Sequence, residues 1–170
     1  HYNADRNEIL KNIDKTLSSG RLVLGPELEL FEKNFSKFCD AKYSVGVSSG
    51  SMGLIIALKC IDLKKNDEVI TVANSDIPTS HAISINGAKI KWVDIEETTL
   101  TIDPKEIEKN ITSNTKVILP VHLFGVPANM LEIKKIAKKY NLKIIEDACL
   151  ATGAKIGSKK IGSIGDLTVF

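Results

Sequence analysis

Over the first forty positions apolar residues recur at helical spacing. Ile9, Leu10, Ile13 and Leu17 form one stripe, and Leu28, Leu30, Phe31, Phe35 and Phe38 form a second. Ser18-Ser19-Gly20 supplies a stop between them, and Gly25-Pro26 punctuates the entry to the second helix, with proline near its start. From Tyr43 onward the pattern changes to short apolar runs separated by helical stretches. The runs predict strands over 43–47, 68–72, 89–93, 115–120 and 142–146. The stretches predict helices over 51–60, about 79–86, 104–109 and 128–140. Strands that are apolar almost throughout, alternating with helices, predict an α/β fold in three layers. Its sheet is mostly parallel, with helices on both faces. Right-handed crossovers follow, and ligands are expected at the carboxyl ends of the strands.

Composition narrows the function classes. Of 170 residues 43% are apolar and 26% charged, the balance of an ordinary globular chain rather than a disordered or collagen-like one. Lys and Arg number 23 against 21 Asp and Glu, a net charge of +2 with the signs interspersed. That leaves no electrostatic footprint for nucleic acid. The longest apolar run, 117–126, is interrupted by Pro120, His122 and Gly125, so no membrane span is expected. The N-terminus is polar and has no signal-peptide pattern. Cys39, Cys60 and Cys149 are odd in number and form no CxxC pair. They are expected to be reduced, mostly buried thiols in a cytoplasmic protein rather than a disulfide framework or zinc site. The chain begins at His1 and stops at Phe170 inside an apolar run, so both ends read as cut.

Two segments carry candidate chemistry. Val47-Ser48-Ser49-Gly50-Ser51 joins the end of a strand to the start of an apolar helix. Small residues allow close approach of a ligand, and unpaired N–H groups at a helix start suit a phosphate. A plain N-cap, with Ser49 or Ser51 capping a core helix, is the commoner use of such a segment. The segment has neither GxGxxG nor the GK[ST] of a P-loop. The strand Lys143-Ile144-Ile145 runs into Glu146-Asp147-Ala148, which puts a carboxylate where a bound ligand is met. It can serve a metal, a protonated ring nitrogen of an electron-sink cofactor, or only a helix cap. No metal-ligand cluster surrounds it, and His81 and His122 each read as packing residues. Glycines between Gly153 and Gly165 predict tight turns between short strands, with Lys159 and Lys160 on a solvated face.

The order of these segments resembles one family. Gly20-Arg21, Leu24-Gly25-Pro26-Glu27, Ser49-Gly50-Ser51, Pro120-Val121-His122-Leu123-Phe124-Gly125, Glu146-Asp147-Ala148 and Gly162-Ser163-Ile164-Gly165-Asp166 are similar to motifs of the DegT/StrS-type sugar aminotransferases. Those are pyridoxal-phosphate enzymes with the aspartate aminotransferase fold. The resemblance implies a helical segment over 1–40 and, over 41–170, part of the large cofactor-binding domain. It implies that Gly50 and Ser51 hold the cofactor phosphate and that Asp147 pairs with the pyridinium nitrogen. His122 matches a family position whose role it leaves open. The implied reaction is transamination of a nucleotide-linked keto sugar by an amino-acid donor, glutamate being expected, in a cytoplasmic homodimer.

Three departures qualify the match. Leu150 stands where the family places a glutamine near the cofactor's phenolic oxygen, and leucine cannot hydrogen-bond. Asp76 stands where family members place an aromatic residue over the ring. The Schiff-base lysine is expected beyond Phe170, so the catalytic residue is unknown from these positions and the chain alone is expected to be inactive. A sugar dehydratase of the same family, which uses histidine at the lysine position, is one alternative. A non-enzymatic phosphate-ligand-binding α/β domain is another.

Overall fold

The computed structural model describes residues 2–170. They form two compact units, one comprising the first two helices with residues 42–46, the other residues 39–41 and 47–170. In the first unit lie α1 (Tyr2–Ser19) and α2 (Pro26–Phe38). Both expected helices are present, with Gly20 in the left-handed region after α1. On α2, Phe31 stacks on Phe35 at 5.5 Å, and Phe35 meets Phe38 at 6.0 Å.

The stretch 43–47, expected as a strand, pairs with no other strand among the described residues. Its polar groups are already committed to α2. Glu32 Oε1 accepts the Gly46 N–H at 2.7 Å, and the Ser44 hydroxyl donates to the Glu32 carbonyl. Leu28 lies so near that a Cβ on residue 46 would come within 2.6 Å of it. Tyr43, Val45 and Val47, the apolar half of the alternation, are exposed.

The second unit carries the sheet. Its elements are α3 (Gly50–Lys59), β1 (Glu68–Val72), α4 (Ile77–Ile85), β2 (Lys89–Val93), α5 (Pro104–Asn110), β3 (Thr115–Ile118), α6 (Met130–Tyr140), β4 (Lys143–Asp147), β5 (Lys155–Ile156), β6 (Lys159–Lys160) and β7 (Leu167–Val169). Five strands lie in the order β2-β1-β3-β4-β7, and every pairing between them is parallel. The expected α/β architecture is therefore present. A separate antiparallel pair, β5 with β6, turns at Gly157, whose φ of 59° suits a tight hairpin. Glycine-rich turns between short strands were expected here.

Residues of β1, β3 and β4 are buried on both sides of the sheet, which explains their near-continuous apolar runs. Alternation along β4 assigns the two faces. Val169, the partner of Asp147 on β7, packs against α3, where a Cβ on Gly53 would come within 2.6 Å of it. Ile144, on the other face, lies beside Ala137 of α6. α3 packs on α4, and α5 on α6, so helices cover both faces. The strand order reverses at β1, with β2 on one side and β3 on the other. In such sheets the crevice beyond the carboxyl ends of the two diverging strands is where ligands are bound.

Candidate functional site

Three of the chain's chemical segments meet at that edge. The first is the start of α3. Ser49 takes the extended conformation of an N-cap (φ −167°, ψ 163°), and its hydroxyl accepts the Met52 N–H at 3.2 Å. The Gly53 N–H bonds to the Ser49 carbonyl at 2.9 Å. The N–H groups of Gly50 and Ser51 remain at the open end of the helix, where no intrahelical carbonyl is available. Ser49 is thus the cap, and Gly50 and Ser51 supply the donors that can face an anion. A Cβ on Gly50 would come within 2.6 Å of Cys149 Sγ, so glycine is what lets this helix start close on the end of β4.

The second segment is the end of β4. Glu146 is fully buried and Asp147 is 7% exposed. Asp147 Oδ2 accepts the Thr79 hydroxyl at 2.8 Å, and its Oδ1 lies 3.4 Å from the Cys149 N–H. Ser75 Oγ lies 2.7 Å from Thr79 Oγ1. Because the Thr79 proton is committed to the carboxylate, Ser75 is the donor in that second bond. The result is a directed relay, Ser75 to Thr79 to Asp147, which leaves Asp147 with a fixed carboxylate plane at the rim of the crevice. Of the thiols expected to be mostly buried, Cys39 is buried but Cys60 and Cys149 are exposed, and Cys149 registers the local field. Partial desolvation of its sulfur, although the residue is exposed, together with the adjoining Asp147 charge pushes the thiol up to about 12.

The third segment follows β1. Asp76 caps α4, accepting the Ile77 N–H at 2.8 Å, and is exposed. Thr79 sits one turn into α4 on the same buried face as Ala82 and Ile83. A polar residue on an otherwise apolar buried face is the one sign of its role that the sequence carries. His122 is fully buried and bonded at both ring nitrogens. His81 is exposed on α4, and Leu150 is 60% exposed. Lys160 pairs with Asp40 at 3.3 Å, while Lys159 is exposed. Among the described residues no group of three or more His, Cys, Asp or Glu is placed to hold a metal ion, and no helix is long and apolar enough to cross a membrane.

In chemical terms this edge offers a helix N-terminus for an anion and a buried-edge carboxylate for a cation, joined through the Gly50–Cys149 contact. A single ligand carrying a phosphate and a protonated ring nitrogen would use both.

Comparison with known proteins places the chain in one family. Residues 3–170 match the model of the DegT/DnrJ/EryC1/StrS aminotransferase family. The chain is 44% identical over 163 residues to the dTDP-3-amino-3,6-dideoxy-alpha-D-galactopyranose transaminase of Aneurinibacillus thermoaerophilus, covering 96% of this chain and 45% of that protein. Among solved structures it is similar to S. venezuelae DesV in complex with a ketimine intermediate, with a TM-score of 0.93 and 40% identity over 95% of this chain and 44% of that one. It is also similar to the E. coli GDP-4-keto-6-deoxy-D-mannose-3-dehydratase with bound hydrated PLP. There the TM-score is 0.87 and the identity 34%, covering 92% of this chain and 42% of that one. The chain therefore spans less than half the length of these relatives.

Proposed function

Because the chain belongs to the DegT/DnrJ/EryC1/StrS aminotransferase family, we propose that it contributes the cofactor-binding edge of a pyridoxal-phosphate enzyme that transfers an amino group to a nucleotide-linked keto sugar. Glutamate is the proposed donor. The observation that carries this reading is the meeting of the α3 N-terminus with Asp147 across the Gly50–Cys149 contact.

The residues present fit the cofactor. Gly50 and Ser51 would hold its phosphate through their free N–H groups, aided by the positive end of the α3 dipole. Asp147 would hold a proton at the ring nitrogen, and the Ser75–Thr79 relay keeps its carboxylate from turning away. Burial of Asp147 to 7% exposure limits competing water, which strengthens any charge pairing there. When bound, pyridoxal phosphate supplies an electron-accepting ring for breaking bonds at the substrate's reacting carbon. Two positions make this edge differ from the family pattern. Leu150 offers no hydrogen bond to the phenolic oxygen, and Asp76 spends its carboxylate on capping α4 rather than covering a ring.

Identities of 44%, 40% and 39% to three sugar aminotransferases support amine transfer over dehydration. We place the helical segment 1–40 apart from a cofactor-binding region 41–170. A cytoplasmic homodimer is the proposed form, supported by the apolar residues Ile13, Leu17, Leu30 and Phe31 left exposed on α1 and α2.

The test is Asp147→Asn in the protein at its natural length, with cofactor affinity read by absorbance titration and amine transfer by product formation. Loss of a charge-assisted bond worth about 2–3 kcal/mol weakens cofactor binding roughly 30- to 150-fold, and amine transfer falls with it. Unchanged affinity and turnover would overturn the role given to Asp147.

A further inference from the structure

Behind the site lies a buried network that the proposed reaction does not itself use. Glu146 and His122 both have zero exposure. His122 Nδ1 accepts the Ala128 N–H at 3.0 Å, so the ring proton sits on Nε2, which donates to Glu146 Oε2 at 3.0 Å. The ring is neutral in this arrangement, and the contact is a hydrogen bond rather than an ion pair. Glu146 Oε1 accepts the Gly165 N–H at 2.7 Å and the Thr168 hydroxyl at 2.8 Å. A buried carboxylate is thus balanced by three oriented donors from three segments: the connection after β3, the turn before β7, and β7 itself.

The backbone of these segments also holds Asp147. Its N–H donates to the Pro120 carbonyl at 2.9 Å, and its carbonyl accepts the His122 N–H at 2.9 Å. Strand alternation turns Glu146 to the opposite face of the sheet from Asp147, so Glu146 acts on the site only through the main chain. We propose that Glu146, working through His122, is a positioning residue that sets the depth and direction of Asp147 at the mouth of the crevice. The consequence for the cofactor rests on the function proposed above; the consequence for Asp147 does not.

Replacing Glu146 with glutamine is informative because an amide cannot satisfy this site. With its oxygen toward Gly165 and Thr168, its NH2 meets the His122 Nε2–H. Moving the ring proton to Nδ1 then sets it against the Ala128 N–H. With the amide flipped, its NH2 meets the Gly165 N–H. Every arrangement leaves two donors facing each other.

The experiment uses the protein at its natural length and three readouts. The first is 15N NMR of the His122 ring in the unmodified protein, which should place the proton on Nε2. The second is the iodoacetamide alkylation rate of Cys149 at pH 8.5, resolved by peptide mass spectrometry. Burial first and the adjoining Asp147 charge second hold that thiol in its protonated form, so a displaced carboxylate speeds alkylation without any cofactor present. Cys39, 3% exposed, reports global opening in the same digest. The third is cofactor affinity by absorbance titration.

Relative to Cys39, Glu146→Gln should raise the Cys149 rate about tenfold and Thr168→Val about threefold. Thr168→Ser, which keeps the hydroxyl, should return it to the unmodified value. Should the glutamine variant fail to fold, Thr168→Val and the ring tautomer carry the test. A ring proton on Nδ1 would overturn the proposal. So would a Cys149 rate that stays unchanged relative to Cys39 in variants of lowered stability, since the network would then be structural only. Faster alkylation with unchanged cofactor affinity would uphold the positioning role and refute the cofactor assignment.

Discussion

Thr79→Val is the sharpest perturbation of the site that leaves packing volume nearly intact. Thr79 is 2% exposed, and its hydroxyl makes two short contacts, to Asp147 Oδ2 at 2.8 Å and to Ser75 Oγ at 2.7 Å. A hydrogen bond to a charged group contributes about 1.5–3 kcal/mol, and losing it here also strands Oδ2 at a nearly dry edge. The extra methyl returns about 0.8 kcal/mol of burial. The net expectation is a destabilisation of about 1–2 kcal/mol, read as a lowered urea midpoint with an unchanged slope. Thr79→Ser keeps the donor and should recover most of the hydrogen-bond contribution. A second effect falls on ligand affinity. Asp147 released from the relay must be immobilised again on binding, at about 0.5–1.5 kcal/mol, which weakens cofactor affinity about 2- to 13-fold. A double-mutant cycle with Asp147→Asn separates this coupling from general loss of packing. If valine at 79 left both the midpoint and the affinity unchanged, or if the cycle showed simple additivity, the relay would not be what holds Asp147.

Three further outcomes are expected. Alkylation of Cys149 should keep accelerating as pH rises from 9 toward 12, because the thiol is held up to about 12; levelling off near 9 would contradict that field. The same group makes the fold less stable over that interval. The unfolded thiol ionises near 9 while the folded one retains its proton, so the unfolded state binds fewer protons and rising pH favours it, as denaturant titrations at successive pH values would register. Gly53→Ala gains about 1 kcal/mol of helix propensity but meets Val169 Cγ1 at 2.6 Å, an overpacking cost of about 1–3 kcal/mol. It should therefore fail to stabilise, and pairing it with Val169→Ala should destabilise less than the two single changes summed; thermal melts of all four proteins decide this.

Much of this arrangement was legible in the sequence, for reasons that differ by element. The strands over 68–72 and 142–146 emerged because parallel strands covered on both sides must be apolar almost throughout, a local signal. The α3 start and the strand-end position of Asp147 were legible because small residues before an apolar helix and an acid closing an apolar run are local signals. The stretch 43–47 misled for the opposite reason. Its Tyr-Ser-Val-Gly-Val alternation satisfies the strand pattern, yet Glu32, more than ten residues earlier, takes the backbone and hydroxyl groups that would have entered a ladder. Thr79 was passed over because a threonine on a helix is unremarkable until the strand that packs against it is known. Asp147 lies 68 positions later.

The donors that surround Glu146 also impose an order on synthesis. Gly165 and Thr168 are translated 19 and 22 residues after the carboxylate they satisfy. At about 5–20 residues per second, the ribosome leaves Glu146 without them for roughly 1–4 seconds. During that interval the end of β4 has a carboxyl group bound for the interior and only His122 to receive it. The emerging chain has reason to keep this strand end hydrated until β7 arrives. The end of β4 is therefore completed by β7 rather than by the collapse of the strands made before it.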